Sequence, residues 1–211
     1  MPDFSLYLVT DRGLSRGRST VDIVRAALAG GVTCVQLREK QASTRDFLAE
    51  AKTVRALLRG SGVPLVINDR IDVALAVDAD GVHLGQTDMP LADARRIVGK
   101  AMFIGISAEC VEHAIQAERA GADYVGVSPV FATPTKTDTA PTLGLEGIKA
   151  MRAAVSIPLV GIGGITQDNA ASVIRAGCDG AAVVSSIVSA LDPMRAAAEL
   201  KTIIDAAKER P

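Results

Sequence analysis

Short runs of apolar residues recur along the whole chain, and they limit its fold more than any other feature. Eight runs can be counted, many of them rich in Val and Ile: LYLV from Leu6, CVQL from Cys34, PLVI from Pro64, GVHL from Gly81, FIGI from Phe103, YVGV from Tyr124, PLVGI from Pro158 and AAVV from Ala181. Runs that are apolar on both faces suit parallel strands covered by helices. Each run therefore predicts a buried strand.

Segments with helical spacing separate these runs, for example residues 21–28 and 47–58. Ser43 and the pair Asp192-Pro193 are typical starts of helices. The alternation predicts an α/β protein, a single (β/α)8 TIM barrel in one domain spanning residues 1–211. An open doubly wound sheet is the alternative, but it would place its Gly-rich turn after the first strand, whereas GIGG follows the seventh.

Composition narrows the class of protein and its partners. The chain has 211 residues, 48% of them hydrophobic, and a net charge of −1, which excludes a disordered chain. Because the net charge is close to zero and the chain has only six Phe and Tyr residues, we expect no nucleic-acid partner and favour small-molecule ligands. The three separated cysteines, Cys34, Cys110 and Cys178, are predicted to be buried, unpaired side chains.

The sequence also predicts where the protein works. No secretion signal and no apolar segment of spanning length is apparent, so we expect a cytoplasmic protein without a membrane partner. A homo-oligomer remains open, because sequence alone does not decide it.

Chemistry in such barrels is built on the loops after the carboxyl ends of the strands. The second predicted strand ends in QLREK, where Gln36, Arg38 and Lys40 alternate and so share one face. Two cations that follow a buried strand indicate an anion site, although a solvated run of charge is the simpler alternative.

Two carboxylates follow the next two strands. IND supplies Asn68 and Asp69, and GVHLGQTD supplies Asp88. They could pair with the neighbouring cations, or they could hold Mg²⁺ together with phosphate oxygens of a substrate. A magnesium diphosphate would bring the charge of the whole set close to zero, which favours the metal without excluding the ion pairs.

Hydroxyl groups and a further cation follow the fifth and sixth strands. Ser107 ends the fifth, and the TPTK motif after the sixth carries Thr133, Thr135 and Lys136. Hydroxyls beside a cation suit phosphate binding and the neutralisation of a leaving group. The segment 131–142 is long and rich in Thr and Pro, and we expect it to act as a mobile lid.

A second phosphate site is predicted after the last two strands. The GIGG turn precedes a helix that opens with TQDN, and the eighth strand ends in VVSS. In barrels these loops bind a phosphate monoester through backbone N–H groups, and glycine allows that close approach. The candidates are Gly163, Gly164, Val184 and Ser185. Two facing phosphate sites indicate group transfer with loss of pyrophosphate.

The motifs QLREK, IND, HLGQTD, TPTK, GIGGIT and VSSI, in this order between Leu6 and Asp192, resemble thiamine-phosphate synthase. The resemblance implies an Mg²⁺-dependent transferase of a pyrimidinylmethyl group. Such an enzyme joins 4-amino-2-methyl-5-hydroxymethylpyrimidine diphosphate to 4-methyl-5-(2-hydroxyethyl)thiazole phosphate, giving thiamine phosphate and pyrophosphate. The implied mechanism is dissociative and passes through a pyrimidine-stabilised cation.

The same resemblance implies a role for each site residue. The pyrimidine diphosphate would be held by Gln36, Arg38, Lys40, Asn68, Ser107 and Lys136, with Arg38, Lys40 and Lys136 as the catalytic cations. Asp69 and Asp88 would hold Mg²⁺, and the thiazole phosphate would be bound by Thr133, Thr135, Gly164, Val184 and Ser185. One departure is visible, because the chain has Ser128-Pro129 where the family commonly has Gly-Pro. We expect it to change local loop packing.

Three other functions are compatible with parts of this pattern. A thiazole tautomerase would share the barrel and the monophosphate site but would not need Asp69, Asp88 and the TPTK loop. A phosphosugar isomerase would need an acid/base pair, for which only His83 with a strand-end carboxylate is available; we expect His83 instead to be a hydrogen-bonded residue of the barrel interior. A non-catalytic sensor of phosphate ligands would bind without turnover.

Overall fold

The computed structural model describes residues 1–133 and 141–209. In this part of the chain eight parallel strands pair in sequence order, and β8 pairs with β1 to close the barrel. The strands are β1 Leu6–Val9, β2 Cys34–Leu37, β3 Leu65–Asn68, β4 Gly81–Leu84, β5 Phe103–Ala108, β6 Tyr124–Val127, β7 Leu159–Ile162 and β8 Gly180–Val183. The predicted (β/α)8 barrel is therefore confirmed, and the doubly wound alternative is wrong.

Helices follow the strands and cover the outside of the barrel. A 3₁₀ turn, Arg12–Leu14, precedes the first of them. The described α-helices are α1 Thr20–Ala29, α2 Thr44–Leu58, α3 Ile71–Ala76, α4 Leu91–Val98, α5 Val111–Arg119, α6 Gly144–Ala154, α7 Ala170–Arg175, α8 Ser185–Val188 and α9 Pro193–Lys208. The last helix, α9, packs against α1 and α7, which joins the two ends of the chain.

The predicted helix starts are confirmed. The Ser43 hydroxyl accepts a hydrogen bond from the Asp46 backbone N–H at the start of α2. Asp192 accepts one from the Arg195 backbone N–H in the same way, and Pro193 occupies the first turn of α9. These caps satisfy backbone donors that have no partner within the helix.

Successive side chains of each strand point alternately outward and inward, and they form two separate hydrophobic cores. Side chains that point outward pack beneath the helices in a large apolar layer that includes Leu6, Leu8, Val35 and Leu65. Side chains that point inward form a smaller cluster inside the barrel, made of Phe4, Tyr7, Val9, Cys34, Val66, Tyr124, Val160 and Ala182. Because successive side chains point to opposite faces, Gln36 lies on the inner side two residues after Cys34. The same parity carries Arg38 towards the mouth of the barrel.

The cysteines are unpaired, as expected, but their burial differs from the prediction. Cys34 and Cys178 are buried, whereas Cys110 is only half-buried. Cys110 directly precedes α5, two residues after the end of β5, and its side chain makes no capping hydrogen bond to the helix. Among the described residues, no helix combines the length and the hydropathy that crossing a bilayer would require.

Candidate active site

A cavity of about 670 Å³ opens at the carboxyl ends of the strands. It brings together every predicted site residue that the structure describes: Gln36, Arg38, Lys40, Asn68, Asp69, Asp88, Ser107, Thr133, Gly163, Gly164, Val184 and Ser185. Thr135 and Lys136 lie outside the described residues, as does most of the predicted lid. Residues up to 150 positions apart in the sequence thus share one cavity, as the strand-end rule predicts.

The two cations after β2 are held by carboxylates. The Arg38 backbone N–H donates to Thr10 Oγ1 at 3.0 Å, and Arg38 Nη1 donates to Asp11 Oδ2 at 3.3 Å. Lys40 Nζ forms a close ion pair with Asp69 Oδ2. Both side chains remain partly exposed to the cavity, so they can also bind an anion. Of the ion pairs that the sequence left as an alternative, the one between Lys40 and Asp69 is present, whereas Arg38 pairs with Asp11, a carboxylate that was not predicted.

Asp69 departs from the alternation of its strand. Asn68 already points into the barrel, so the next side chain would ordinarily point outward. Asp69 instead has a φ of 61°, a left-handed conformation that Asp adopts more readily than most residues, and it also lines the cavity. Its backbone N–H still donates to the His83 carbonyl at 2.9 Å. Because of this one φ angle, the side-chain amide of Asn68 and the carboxylate of Asp69 both line the cavity.

The carboxyls of Asp69 and Asp88 lie close enough to interact directly. Burial raises the pKa of the Asp69 carboxyl above its usual value, the Lys40 ammonium opposes this, and Asp88 raises the pKa further. Asp88 is fixed by the Gly85 backbone N–H, which donates to its Oδ2 at 2.6 Å. Two neighbouring carboxylates, of which Asp69 is paired with the Lys40 ammonium, concentrate negative charge that a divalent cation would stabilise.

Within residues 1–133 and 141–209, no group of three or more His, Cys, Asp or Glu side chains is arranged to hold a metal ion. Among these residues, Asp69 and Asp88 are the two carboxylates we assign to a cation, which leaves coordination positions for water or substrate oxygens. This suits Mg²⁺, which usually keeps few protein carboxylates and completes its shell with water and phosphate oxygens.

Glycines shape the opposite wall of the cavity. Gly163 and Gly164 have φ angles of 104° and 63°, which other residues rarely adopt. A Cβ on Gly164 would lie 2.6 Å from the Ala132 carbonyl oxygen, so the turn packs directly against the chain that leads into the TPTK loop. Val184 and Ser185 line the same cavity, at the start of the short helix α8.

A hydrogen-bonded chain of side chains forms the floor of the cavity. Gln36 Nε2 donates to the Tyr7 hydroxyl at 2.9 Å, and the Tyr7 and Tyr124 hydroxyls are 2.9 Å apart. His83 Nδ1 lies 2.8 Å from the Tyr124 hydroxyl, and His83 Nε2 lies 2.9 Å from Ser107 Oγ. Burial raises the pKa of both tyrosines well above the usual value. The expectation that His83 is hydrogen-bonded in the barrel interior is confirmed.

Sequence reasoning missed several residues that line the cavity, among them Tyr7, Thr10, Asp11 and Tyr124. Thr10 and Asp11 directly follow β1, so the strand-end rule applied to that strand would have found them. The tyrosines lie within strands whose other residues are apolar, and alternation would have placed them inside. What the sequence did not show was that their hydroxyls meet across the barrel.

The departure from the Gly-Pro pattern lies at the edge of the cavity. Ser128 lines it, and the Ser128-Pro129 peptide bond is cis. The Ser128 backbone N–H donates to the Ala108 carbonyl at 3.0 Å, which continues the pairing of β5 with β6. A change in loop packing caused by Ser128 stays a prediction.

Comparison with known proteins places this geometry in context. The family described as thiamine monophosphate synthase matches residues 6–187. A thiamine-phosphate synthase from Chloroflexus aurantiacus is 56% identical over 208 residues, which cover 99% of this chain and 96% of the relative. Another from Albidiferax ferrireducens is 57% identical over 201 residues, covering 95% and 92% of the two chains.

A solved structure agrees with the sequence relatives. The thiamine phosphate pyrophosphorylase from Pyrococcus furiosus superposes with a TM-score of 0.90 at 43% sequence identity, and the match covers 98% of both chains. The likeness therefore extends over nearly the whole chain.

Proposed function

The chain belongs to the thiamine monophosphate synthase family, and from this premise we propose how its cavity carries out the reaction. The activity is thiamine-phosphate synthesis by a transferase that releases pyrophosphate. One observation carries the assignment of the site: a single cavity holds the cations, the paired carboxylates and the glycine turn that two phosphorylated substrates need. Residues 1–211 act as one catalytic domain in this proposal.

The pyrimidine diphosphate binds on the wall formed after β2 to β5. Arg38 and Lys40 bind its phosphate oxygens, exchanging their present carboxylate partners for the diphosphate. Asn68 and Ser107 supply neutral hydrogen-bond donors, and the amide of Gln36 lies at the floor beside Tyr7. Lys136, which the resemblance adds to this set, belongs to the part of the chain outside the described residues.

Asp69 and Asp88 are the residues that would hold Mg²⁺. The fit follows from their donor chemistry, because Asp88 disfavours the negative charge of the adjacent Asp69 carboxyl and a dication would stabilise it. When bound, the metal ion supplies positive charge to the oxygens of the departing pyrophosphate. Lys40 links the two functions, because its ammonium reaches both Asp69 and the space in which the diphosphate would lie.

The thiazole phosphate binds on the facing wall, formed after β7 and β8. Gly164, Val184 and Ser185 line this side of the cavity together with Thr133, and their backbone N–H groups would bind the phosphate. Thr135 completes the set in the family pattern and lies outside the described residues. The two walls bring the reacting carbon of one substrate and the nitrogen of the other into the same space.

The residues present suit a dissociative reaction. Breaking the bond to pyrophosphate places negative charge on the leaving group, and Arg38, Lys40 and Lys136 neutralise it as it develops. The thiazole nitrogen then captures the pyrimidine cation and has no proton to lose, so the step needs no general base. Within residues 1–133 and 141–209 this proposal accordingly assigns no nucleophile and no acid/base pair, and His83 is hydrogen-bonded to Tyr124 and Ser107.

The direct test mixes the purified protein with both phosphorylated precursors, in parallel with Mg²⁺ and with EDTA. We expect thiamine phosphate and pyrophosphate in equal amounts in the Mg²⁺ sample and neither in the EDTA sample. Product in both samples would remove the metal from the mechanism. Binding of the thiazole phosphate without product would favour the sensor, and isomerisation of a thiazole ester alone would favour the tautomerase.

A further inference from the structure

We propose that His83 is a positioning residue that keeps the Ser107 hydroxyl a hydrogen-bond donor towards the substrate. His83 lies on β4 between two hydroxyls, with Nδ1 2.8 Å from Tyr124 Oη and Nε2 2.9 Å from Ser107 Oγ. The proposal rests on the proposed function in one respect: it takes the ligand of Ser107 to be an anionic phosphate ester, which can accept but not donate a hydrogen bond.

The donor and acceptor roles along the hydrogen-bonded series Gln36–Tyr7–Tyr124–His83–Ser107 are set at its buried end, at Gln36. Gln36 Nε2 is an amide nitrogen and can only donate, so the Tyr7 oxygen accepts there. Tyr7 must then donate its own hydrogen elsewhere. Two acceptors are adjacent, the Tyr124 oxygen at 2.9 Å and the thiol sulfur of Cys34. Oxygen is the stronger acceptor, so Tyr7 donates to Tyr124.

The same logic fixes the tautomer of His83. Tyr124 accepts from Tyr7 and donates its hydrogen to His83 Nδ1, so Nδ1 carries no hydrogen. A neutral imidazole then has its hydrogen on Nε2, which donates to Ser107 Oγ. In this arrangement Ser107 Oγ accepts from His83, so its own hydroxyl hydrogen can be donated to a ligand in the cavity. With the opposite tautomer, Ser107 would donate to His83 and could only accept from the ligand.

The barrel interior is built to hold this chain. A Cβ on Gly105 would lie 2.0 Å from Tyr124 Cζ, and a Cβ on Gly126 would lie 3.0 Å from His83 Cε1. The absence of side chains at these two positions makes the space for the Tyr124 and His83 rings. Burial raises the pKa of Tyr7 and Tyr124, so both hydroxyls keep the hydrogens that the chain requires. The packing around Gly105 and Gly126 therefore restricts the positions of the Tyr124 and His83 rings, and burial keeps the two tyrosine hydroxyls protonated.

The first test observes the tautomer in the ligand-free wild-type protein. Because the chain has only two histidines, NMR of protein labelled with ¹⁵N-histidine gives two sets of signals, and His113→Gln assigns them. We expect the His83 Nε2 to carry hydrogen and the Nδ1 to be a bare acceptor. Hydrogen on Nδ1, or on both nitrogens, would overturn the proposal. This readout needs no substrate or turnover, so it is independent of whether the proposed reaction is right.

The second test separates positioning from packing. His83→Phe keeps a ring but removes both nitrogens, and Ser107→Ala removes the hydroxyl. We expect each to lower kcat about tenfold or more, as for the loss of a hydrogen bond to a charged group, with the KM for thiazole phosphate within about twofold. The double variant should be no slower than Ser107→Ala, because both changes remove the same interaction. His83→Gln, whose amide N–H can replace Nε2–H, should recover most of the activity.

Additive losses in the double variant would show that His83 acts only through packing, and full activity of His83→Phe would show that it has no role. Circular dichroism of each variant verifies that it is folded. Should His83→Phe fail to fold, the tautomer measured in the wild-type protein still decides the proposal.

Discussion

Asp69 follows Asn68 directly in the chain, yet both side chains line the cavity, because φ at Asp69 is 61°. With ordinary strand geometry the carboxyl would point towards the helices and could not face Asp88. The backbone strain at this residue and the raised pKa of its carboxyl are both unfavourable for the ligand-free protein. A bound cation would offset the second of these, which links the local geometry to metal binding.

Asp88→Ala should raise the Mg²⁺ concentration needed for half-maximal activity and depress turnover, because one of the two proposed carboxylate ligands of the ion would be lost. The measurement is a titration of activity with Mg²⁺. Asp93→Ala is the matched control, since Asp93 is an exposed carboxylate on α4 that pairs with Arg96 outside the cavity. An unchanged Mg²⁺ dependence in Asp88→Ala would remove Asp88 from the metal site.

Lys136→Ala should lower turnover by on the order of 10²-fold or more, as expected for losing a donor of positive charge to the transition state. Steady-state kinetics with both precursors measures it. Lys149→Ala provides the comparison, because Lys149 is an exposed lysine of α6 paired with Glu146. A loss below threefold would count against a role for Lys136 in stabilising the leaving group.

On the scale of elements, the turn after β7 combines unusual backbone with close packing. Gly163 and Gly164 both have positive φ, and the chain around Phe131 and Ala132 lies against them. The Phe131 backbone N–H also donates to the Gly163 carbonyl at 3.0 Å. The described start of the loop after β6 and the turn after β7 are therefore one packed unit, so a change in either one should affect thiazole phosphate binding.

Gly164→Ala tests this unit, because the added Cβ meets the Ala132 carbonyl oxygen. Gly60→Ala is a close control: Gly60 also has a positive φ, 78°, but its Cβ would meet nothing within 4 Å, in the turn after α2. Gly60→Ala should lose roughly 1–2 kcal/mol of unfolding free energy from backbone strain, and Gly164→Ala should lose more, because its Cβ also clashes with the Ala132 carbonyl oxygen; denaturant titration measures both. Only Gly164→Ala should also raise the KM for thiazole phosphate, by about tenfold or more. Equal KM values would contradict the monophosphate site.

At the scale of the whole molecule, the sequence predicts the barrel well for a physical reason. Parallel strands covered by helices are apolar on both faces, so each appears as a short continuous run that a surface strand would not show. Loops after the carboxyl ends of the strands lie at one mouth of the barrel, so the QLREK cations and the Gly164 turn can be predicted to lie there without any knowledge of tertiary contacts. Fold and cavity membership follow from local patterns.

What the sequence does not predict depends on contacts between distant residues. The Tyr7–Tyr124 contact joins β1 to β6 across the barrel, and no local pattern carries it. The pairing of Lys40 with Asp69 was only one of two alternatives, since spacing does not show which carboxylate a cation reaches. The φ angle of Asp69 is likewise set by its surroundings, because most Asp residues keep a negative φ.

The central claim is that Asp69 and Asp88 together hold the metal ion that accompanies the diphosphate. A crystal grown with Mn²⁺ and inorganic pyrophosphate tests it directly, because Mn²⁺ takes the same oxygen ligands as Mg²⁺ and gives an anomalous signal. We predict an anomalous peak in contact with a carboxylate oxygen of each residue and with pyrophosphate oxygens beside Arg38 and Lys40. A peak that touches neither carboxylate, with pyrophosphate bound at the Gly164 wall, would contradict the account.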